Sequence, residues 1–223
     1  DDPRRLRRRG LFEHVRHRPP VIVPFLAVAP VFVSDFPLLV RLLRAQLKVK
    51  QGDVGAAMPD FDAAIAQDSQ SAEAFAQRGL AKQRFEDYAA AERDFDAAIR
   101  LDSREPNARS GRCWNRIYQN GDDGAAENDA QSAVGAEPSL ISARLCLGIA
   151  LLRQHKYPQA REVYDATVQL EPANAAALFG RGYARRADGQ REEGAADIRR
   201  AYEFNSRIDE EFGRPAIVDA AVE

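Results

Sequence analysis

Cysteine, histidine, methionine and tryptophan are scarce in this sequence, at two, three, one and one among 223 residues. No Cys-x-x-Cys pair and no His-Glu-x-x-His run occurs, so the common zinc spacings are missing. His14 and His17 are spaced i, i+3 but have no cysteine or third histidine near them, and neither a metal nor a cofactor is expected. Two cysteines make no disulfide framework. Cys113 and Cys146 fall on the first helices of neighbouring helix pairs, whose axes should lie about 8–10 Å apart. A disulfide needs Cα atoms within about 7 Å, so both are expected as buried, unbridged small side chains. No glycine-rich phosphate loop precedes a helix, and no run reaches the ~18 apolar residues of a membrane span. The formal net charge of −2 gives no global pull toward nucleic acid or membrane. Nothing brings a nucleophile, a base and an orienting group together, so the chain reads as non-enzymatic.

What is present is a repeat. The stretch 74–101 (AFAQRGLAKQRFEDYAAAERDFDAAIRL) reads as two short amphipathic helices back to back. Its apolar residues, Tyr88, Ala91, Phe95, Ala98, Ile99 and Leu101, recur at spacings of three and four. The pattern returns every 34 residues, with one step of 35 from an extra residue near Ile117 to Asn120. The turn position carries Gly52, Glu86, Gly121, His155 and Gly189. In the second helix a small residue (Ala57, Ala91, Ala126, Ala160, Gly194) precedes a large apolar one (Phe61, Phe95, Tyr164, Ile198), replaced once by Ala130. Each copy closes at Ser69, Ser103, Pro138, Pro172 or Ser206. One such pair cannot bury its apolar face alone and needs its neighbours.

A helix-turn-helix period of 34 with small, aromatic, small and terminal Pro at these offsets resembles the tetratricopeptide repeat family, over roughly residues 36–206. The resemblance implies an all-α, right-handed α-solenoid of about five repeats, at about 36–70, 74–106, 108–139, 143–174 and 177–206. Glu86 and His155 depart from the expected turn glycine. Pro59 sits inside the second helix of repeat 1, where it removes a backbone bond and should kink the helix.

The ends differ from the array. Residues 1–20 hold seven arginines against Asp1, Asp2 and Glu13, a balance of +4 that leaves −6 for the rest. Their plain reading is a solvated tail, and the alternative is an arm for an anionic surface. The apolar run 21–33 (VIVPFLAVAPVFV), broken by Pro24 and Pro30, has a signal-like look. A cytoplasmic location is favoured, with export as the alternative if residues 4–29 act as a signal peptide. Residues 1–33 are thus read as a tail, 34–206 as the repeat domain, and 207–223 as a polar closing helix and tail.

The candidate site is a repeated basic face. Arg44 with Lys48, Arg78 with Lys82, Arg112 with Arg116 and Arg181 with Arg185 stand four residues apart in first helices. Repeat 4 has Leu147 and Leu151 instead. Second helices carry Asp60, Asp94, Asp129 and Asp197 at one position, and repeat 4 has Val163 there. Arg and Asp come and go together, so Arg44, Arg78, Arg112 and Arg181 are assigned to structural ion pairs. Lys48, Lys82, Arg116 and Arg185 remain as candidates for ligand contact, with plain solvated charge as the alternative. Arg144, Phe75, Phe85, Trp114 and Tyr118 are further groove candidates, of which Trp114 is favoured as a packing residue over an anchor. The resemblance implies that such grooves take peptides of protein partners, sometimes by a terminal carboxylate. The function expected is therefore a scaffold that binds a partner peptide. Its alternative is a binder of nucleic acid or acidic lipid through the arginine-rich arm, which would weaken steeply with salt. No small-molecule substrate is expected.

Overall fold

The computed structural model describes residues 36–213. The basic arm, His14, His17, the apolar run and the C-terminal tail lie outside them, so the expectations placed there are carried no further. Among the described residues there are eleven helices and no strand. Five antiparallel pairs follow one another: α1 (Phe36–Lys50) with α2 (Val54–Gln67), α3 (Ala72–Arg84) with α4 (Tyr88–Leu101), α5 (Pro106–Tyr118) with α6 (Asp123–Ala136), α7 (Ile141–Arg153) with α8 (Tyr157–Leu170), and α9 (Ala175–Ala187) with α10 (Arg191–Phe204). The short α11 (Ile208–Gly213) follows, and Ile208 is buried against the last repeat. The pairs stack as a right-handed α-solenoid.

Local chemistry fixes where the helices begin and end. Asp53, Ser71, Asp87, Glu105, Asp122 and Asn174 each accept a backbone N–H of the first turn that no helical carbonyl can satisfy. First helices stop at a left-handed residue: Gly52, Glu86, Asn120, His155 and Gly189 all have positive φ. Around Glu86 the amide of Asp87 returns to Lys82 O at 3.1 Å and that of Glu86 to Gln83 O at 2.9 Å, the Schellman arrangement. In repeat 3 the left-handed residue is Asn120 rather than the Gly121 expected. The extra residue of the 35-residue step therefore follows Asn120, and each first helix keeps the same spacing to its own left-handed residue. Pro59 does not end α2, which runs as one helix from Val54 to Gln67.

The core is built from small residues wedged apart by one large one. Phe95 is fully buried, and a Cβ on Gly79 or Gly111 would fall 2.7 or 2.5 Å from its ring. Tyr164 stands likewise between Gly148 and Gly180, where a Cβ would fall 2.4 and 2.3 Å from the ring. The aromatic ring thus fills a slot between the first helix of its own repeat and that of the next.

The intervening junction uses other chemistry. Ala130 takes the place of the ring, and Cys113 and Cys146 take the places of the two glycines. The expectation that these cysteines stay apart is overturned: they form a disulfide, with Cα atoms 6.4 Å apart, and both are fully buried. The physical reason is that helix axes are not Cα atoms. Each Cα lies about 2.3 Å from its axis, so facing residues on helices 8–10 Å apart come well within bridging range.

Candidate peptide groove

The repeated charges make a ladder through the array. Arg44 clasps Asp60, with Nε donating at 2.8 Å and Nη2 making the second contact. Arg78 donates to Asp94 at 2.8 and 2.6 Å, Arg112 to Asp129 at 2.8 and 2.6 Å, and Arg181 to Asp197 at 2.8 and 2.6 Å. The four aspartates are buried. The bidentate fork satisfies a carboxylate that burial would otherwise penalise. It raises the pKa of Arg78 and Arg112, chiefly through these hydrogen bonds. Burial works against the charge of Arg181, yet Asp197 and Asp165 leave its pKa raised as well.

The residues reserved for ligand join the same carboxylates. Lys48 Nζ stands 2.8 Å from Asp60, Lys82 Nζ 2.8 Å from Asp94, and Arg185 Nη1 2.7 Å from Asp197. Arg116 closes on Asp129, which Arg109 also reaches at 3.3 Å. Side chains at i and i+4 point the same way, so one buried aspartate takes both cations. Arg144 donates Nε to Pro138 O at 2.6 Å, in the loop before its helix. Phe75 lies under the Arg78 guanidinium, 5.5 Å from ring centre to Cζ, and so covers an ion pair. Phe85 is exposed just past the end of α3.

Trp114 and Tyr118 are where the structure opens. They line a cavity of about 950 Å³ between first helices, with Leu80, Gln83 and Arg84 of α3, Glu86, Tyr88, and Ile141, Ser142 and Leu145 of α7. A smaller cavity of about 290 Å³ between α1 and α3 shares Leu80 and Arg84 and adds Gln46, Val49 and Lys50. The groove walls come from two positions repeated along the array: Gln46 and Lys50, Leu80 and Arg84, Trp114 and Tyr118. Each lies two residues beyond the corresponding ladder cation (Arg44 and Lys48, Arg78 and Lys82, Arg112 and Arg116). Two residues turn a helix by about 200°, so the groove and the ladder are on opposite sides of the first helices.

The aromatic wall is held in place. Trp114 and Tyr118 stack with centroids 5.6 Å apart, and Tyr88 stands 5.9 Å from Tyr118. The Trp114 indole donates to Ser142 O and stands 3.0 Å from Ser142 Oγ, tying α5 to α7. Beneath the wall Asn115 is fully buried, where other repeats have Ala81, Ala150 and Ala184. Its amide donates to Tyr88 O at 2.9 Å and to Glu92 Oε2 at 2.7 Å. Gln83 donates to Gly111 O at 2.9 Å. Leu80, Gln83, Arg84, Tyr88, Ser142 and Leu145 were not among the sequence candidates. The signal available was a half-turn offset from the ladder residues, toward the face that carries Trp114 and Tyr118.

The tetratricopeptide repeat family profile matches residues 42–106 and 145–207, together more than half of the chain. A search of curated protein sequences finds no match. Among solved structures the chain is similar to YrrB, described as a tetratricopeptide repeat protein with an unusual peptide-binding site. The identity is 19%, the TM-score 0.59, and the match covers 78% of this chain and 90% of that one. It is similar to MamA residues 41 to the end from Desulfovibrio magneticus RS-1, at 18% identity, TM-score 0.61, and 76% and 96% coverage. It is also similar to pilF of Pseudomonas aeruginosa, at 15% identity, TM-score 0.70, and 82% and 88% coverage. At these identities the likeness is one of fold. The architecture is that of a protein-interaction scaffold, and on the profile match the chain belongs to the tetratricopeptide repeat family.

Proposed function

We propose that the chain is a non-catalytic scaffold that takes an extended segment of a partner protein in the groove between α3, α5 and α7. The observation that carries this reading is the Trp114–Tyr118 stack, set in the wall of an open cavity, with Trp114 tied to Ser142 and Tyr118 flanked by Tyr88, whose carbonyl Asn115 holds. Flat aromatic surface already fixed in place offers contact area at little entropic cost, the usual character of a binding anchor. Arg84, exposed at the rim shared by both cavities, is the cation best placed for a carboxylate of the segment. YrrB, described as binding peptide, supports the reading by analogy of fold.

The test is selection of a random peptide display library on the full chain, followed by titration of the selected peptides. Trp114→Ala with Tyr118→Ala should weaken them by about 2 kcal/mol or more, the scale of an aromatic hot spot. Equal affinity for this variant and the wild type would sink the groove assignment.

A further inference from the structure

We propose that the Cys113–Cys146 bridge is a redox-sensitive lock on this groove, whose reduction frees α5 from α7 while the rest of the array stays folded. The inference rests on reading the α3–α5–α7 cavity as the binding site. Three observations converge on it. The junction between repeats 3 and 4 lacks the ring that wedges the junctions on either side: Ala130 stands where Phe95 and Tyr164 stand. The slot is filled by the two bonded cysteines, in the places of Gly79 and Gly111 or of Gly148 and Gly180. The bridged helices are the two that carry Trp114 and Tyr118, and Ser142 and Leu145, into the lining of the cavity.

Elsewhere the slot is held by a ring that no redox chemistry removes. Here the same space is held by a bond that a dithiol can break. The reductant's thiolate attacks one sulfur, the Sγ–Sγ bond breaks, and a mixed disulfide forms. The second thiol of the reductant then displaces that sulfur. Cys113 and Cys146 end as thiols, having gained two electrons and two protons, and the reductant leaves as its own disulfide. Both cysteines are fully buried, so attack waits for the junction to open. Once reduced, the slot holds two thiols and an alanine methyl in place of a bonded cross-link. The α5–α7 contact, with its Trp114–Ser142 hydrogen bonds, then opens more often. By linkage, a ligand that holds α5 against α7 slows the reduction.

The test uses the full chain, oxidised and after treatment with dithiothreitol, with no ligand present. The readouts are free thiols by alkylation and mass, emission of the single tryptophan, and hydrogen exchange resolved by segment. Reduction should release two thiols, shift Trp114 emission to the red, and speed exchange in residues 106–118 and 141–153 by about tenfold or more. Exchange in α9 and α10 and the far-ultraviolet dichroism should hold. Cys113→Ser with Cys146→Ser should match the reduced protein. Cys113→Gly and Cys146→Gly with Ala130→Phe, which copies the neighbouring junctions, should match the oxidised protein and ignore dithiothreitol.

Identical exchange and emission before and after reduction would overturn the proposal, because the bond then holds nothing. Unfolding of the whole array on reduction would overturn it too, because the bridge is then a global staple. Thiols released only in denaturant would do the same. None of these readouts uses a ligand, so their failure leaves the groove assignment standing, and loss of the groove assignment leaves them readable.

Discussion

Arg78 Nη1 donates to Asp62 Oδ1 at 2.8 Å, across the junction between two repeats, while its other nitrogens hold Asp94 within its own. The same double grip recurs at Arg112, with Asp96 and Asp129, and at Arg181, with Asp165 and Asp197. Repeat 4 breaks it completely: Leu147 replaces the Arg, Val163 the Asp of its own repeat, and Gln131 the Asp of the repeat before. Arg44 has no described repeat before it, and its side chain is 56% exposed against 19% for Arg78. The ladder is a unit of architecture that the chain itself shows can be exchanged for apolar packing.

Arg78→Leu alone leaves Asp94 buried beside Lys82 only, and should cost about 3–5 kcal/mol in denaturant unfolding. Arg78→Leu with Lys82→Leu and Asp94→Val copies Leu147, Leu151 and Val163. It should recover most of that loss, since Asp62 can return to water. Losses that simply add would mean that the residues are not coupled.

Acid should weaken the exposed end of the ladder at Asp60. Hydrogen bonding from Arg44 holds Asp60 down to about 2, against its own desolvation. A carboxylate depressed in the folded state stabilises fully above its ordinary value near ~4 and loses that contribution as pH falls toward 2. Between these values the melting temperature of the wild type should drop with pH. Asp60→Asn should start lower and show a shallower drop over the same window. Parallel curves would contradict the assignment.

Tyr164 is fully buried, and its hydroxyl has no hydrogen-bond partner among the described residues. Burial pushes its pKa well above the ordinary value of a phenol. The unfolded phenol ionises near pH ~10 and the folded one does not, so its contribution is lost as pH rises past that point. Repeats 1 and 2 carry Phe61 and Phe95 at this position. Tyr164→Phe should therefore stabilise by about 1 kcal/mol, read as a higher midpoint in urea. It should also flatten the fall in stability above pH ~10. Destabilisation would show that the hydroxyl is satisfied after all.

The period, the helix pairs and the Arg–Asp pairing are legible in the sequence because each rests on spacing, and spacing survives folding. The second cation on each Asp is not, because it needs the direction in which i and i+4 side chains lean, not merely their shared face. For that reason Lys82→Glu with Arg116→Glu, the natural charge reversal for a basic groove, would set like charges against Asp94 and Asp129 and unfold repeats instead of testing binding. The cross-junction partner was visible: Asp62, Asp96 and Asp165 are present only before a repeat that has its Arg. The disulfide was hidden by a distance argument made between axes, and the coincidence of Cys113 and Cys146 with glycine positions in neighbouring repeats was its signal. Trp114 and Tyr118 were legible as candidates by type. Their setting among Leu80, Arg84 and Leu145 needed the half-turn offset that separates groove from ladder.

The most direct measurement of the central claim is a titration of the full chain with a selected peptide, followed by the emission of Trp114, the single tryptophan. The account predicts a saturable change whose midpoint equals the calorimetric dissociation constant, together with loss of the calorimetric signal in Trp114→Ala with Tyr118→Ala. Calorimetric binding with no change in Trp114 emission, and full affinity in that variant, would place the ligand elsewhere on the molecule and contradict the groove.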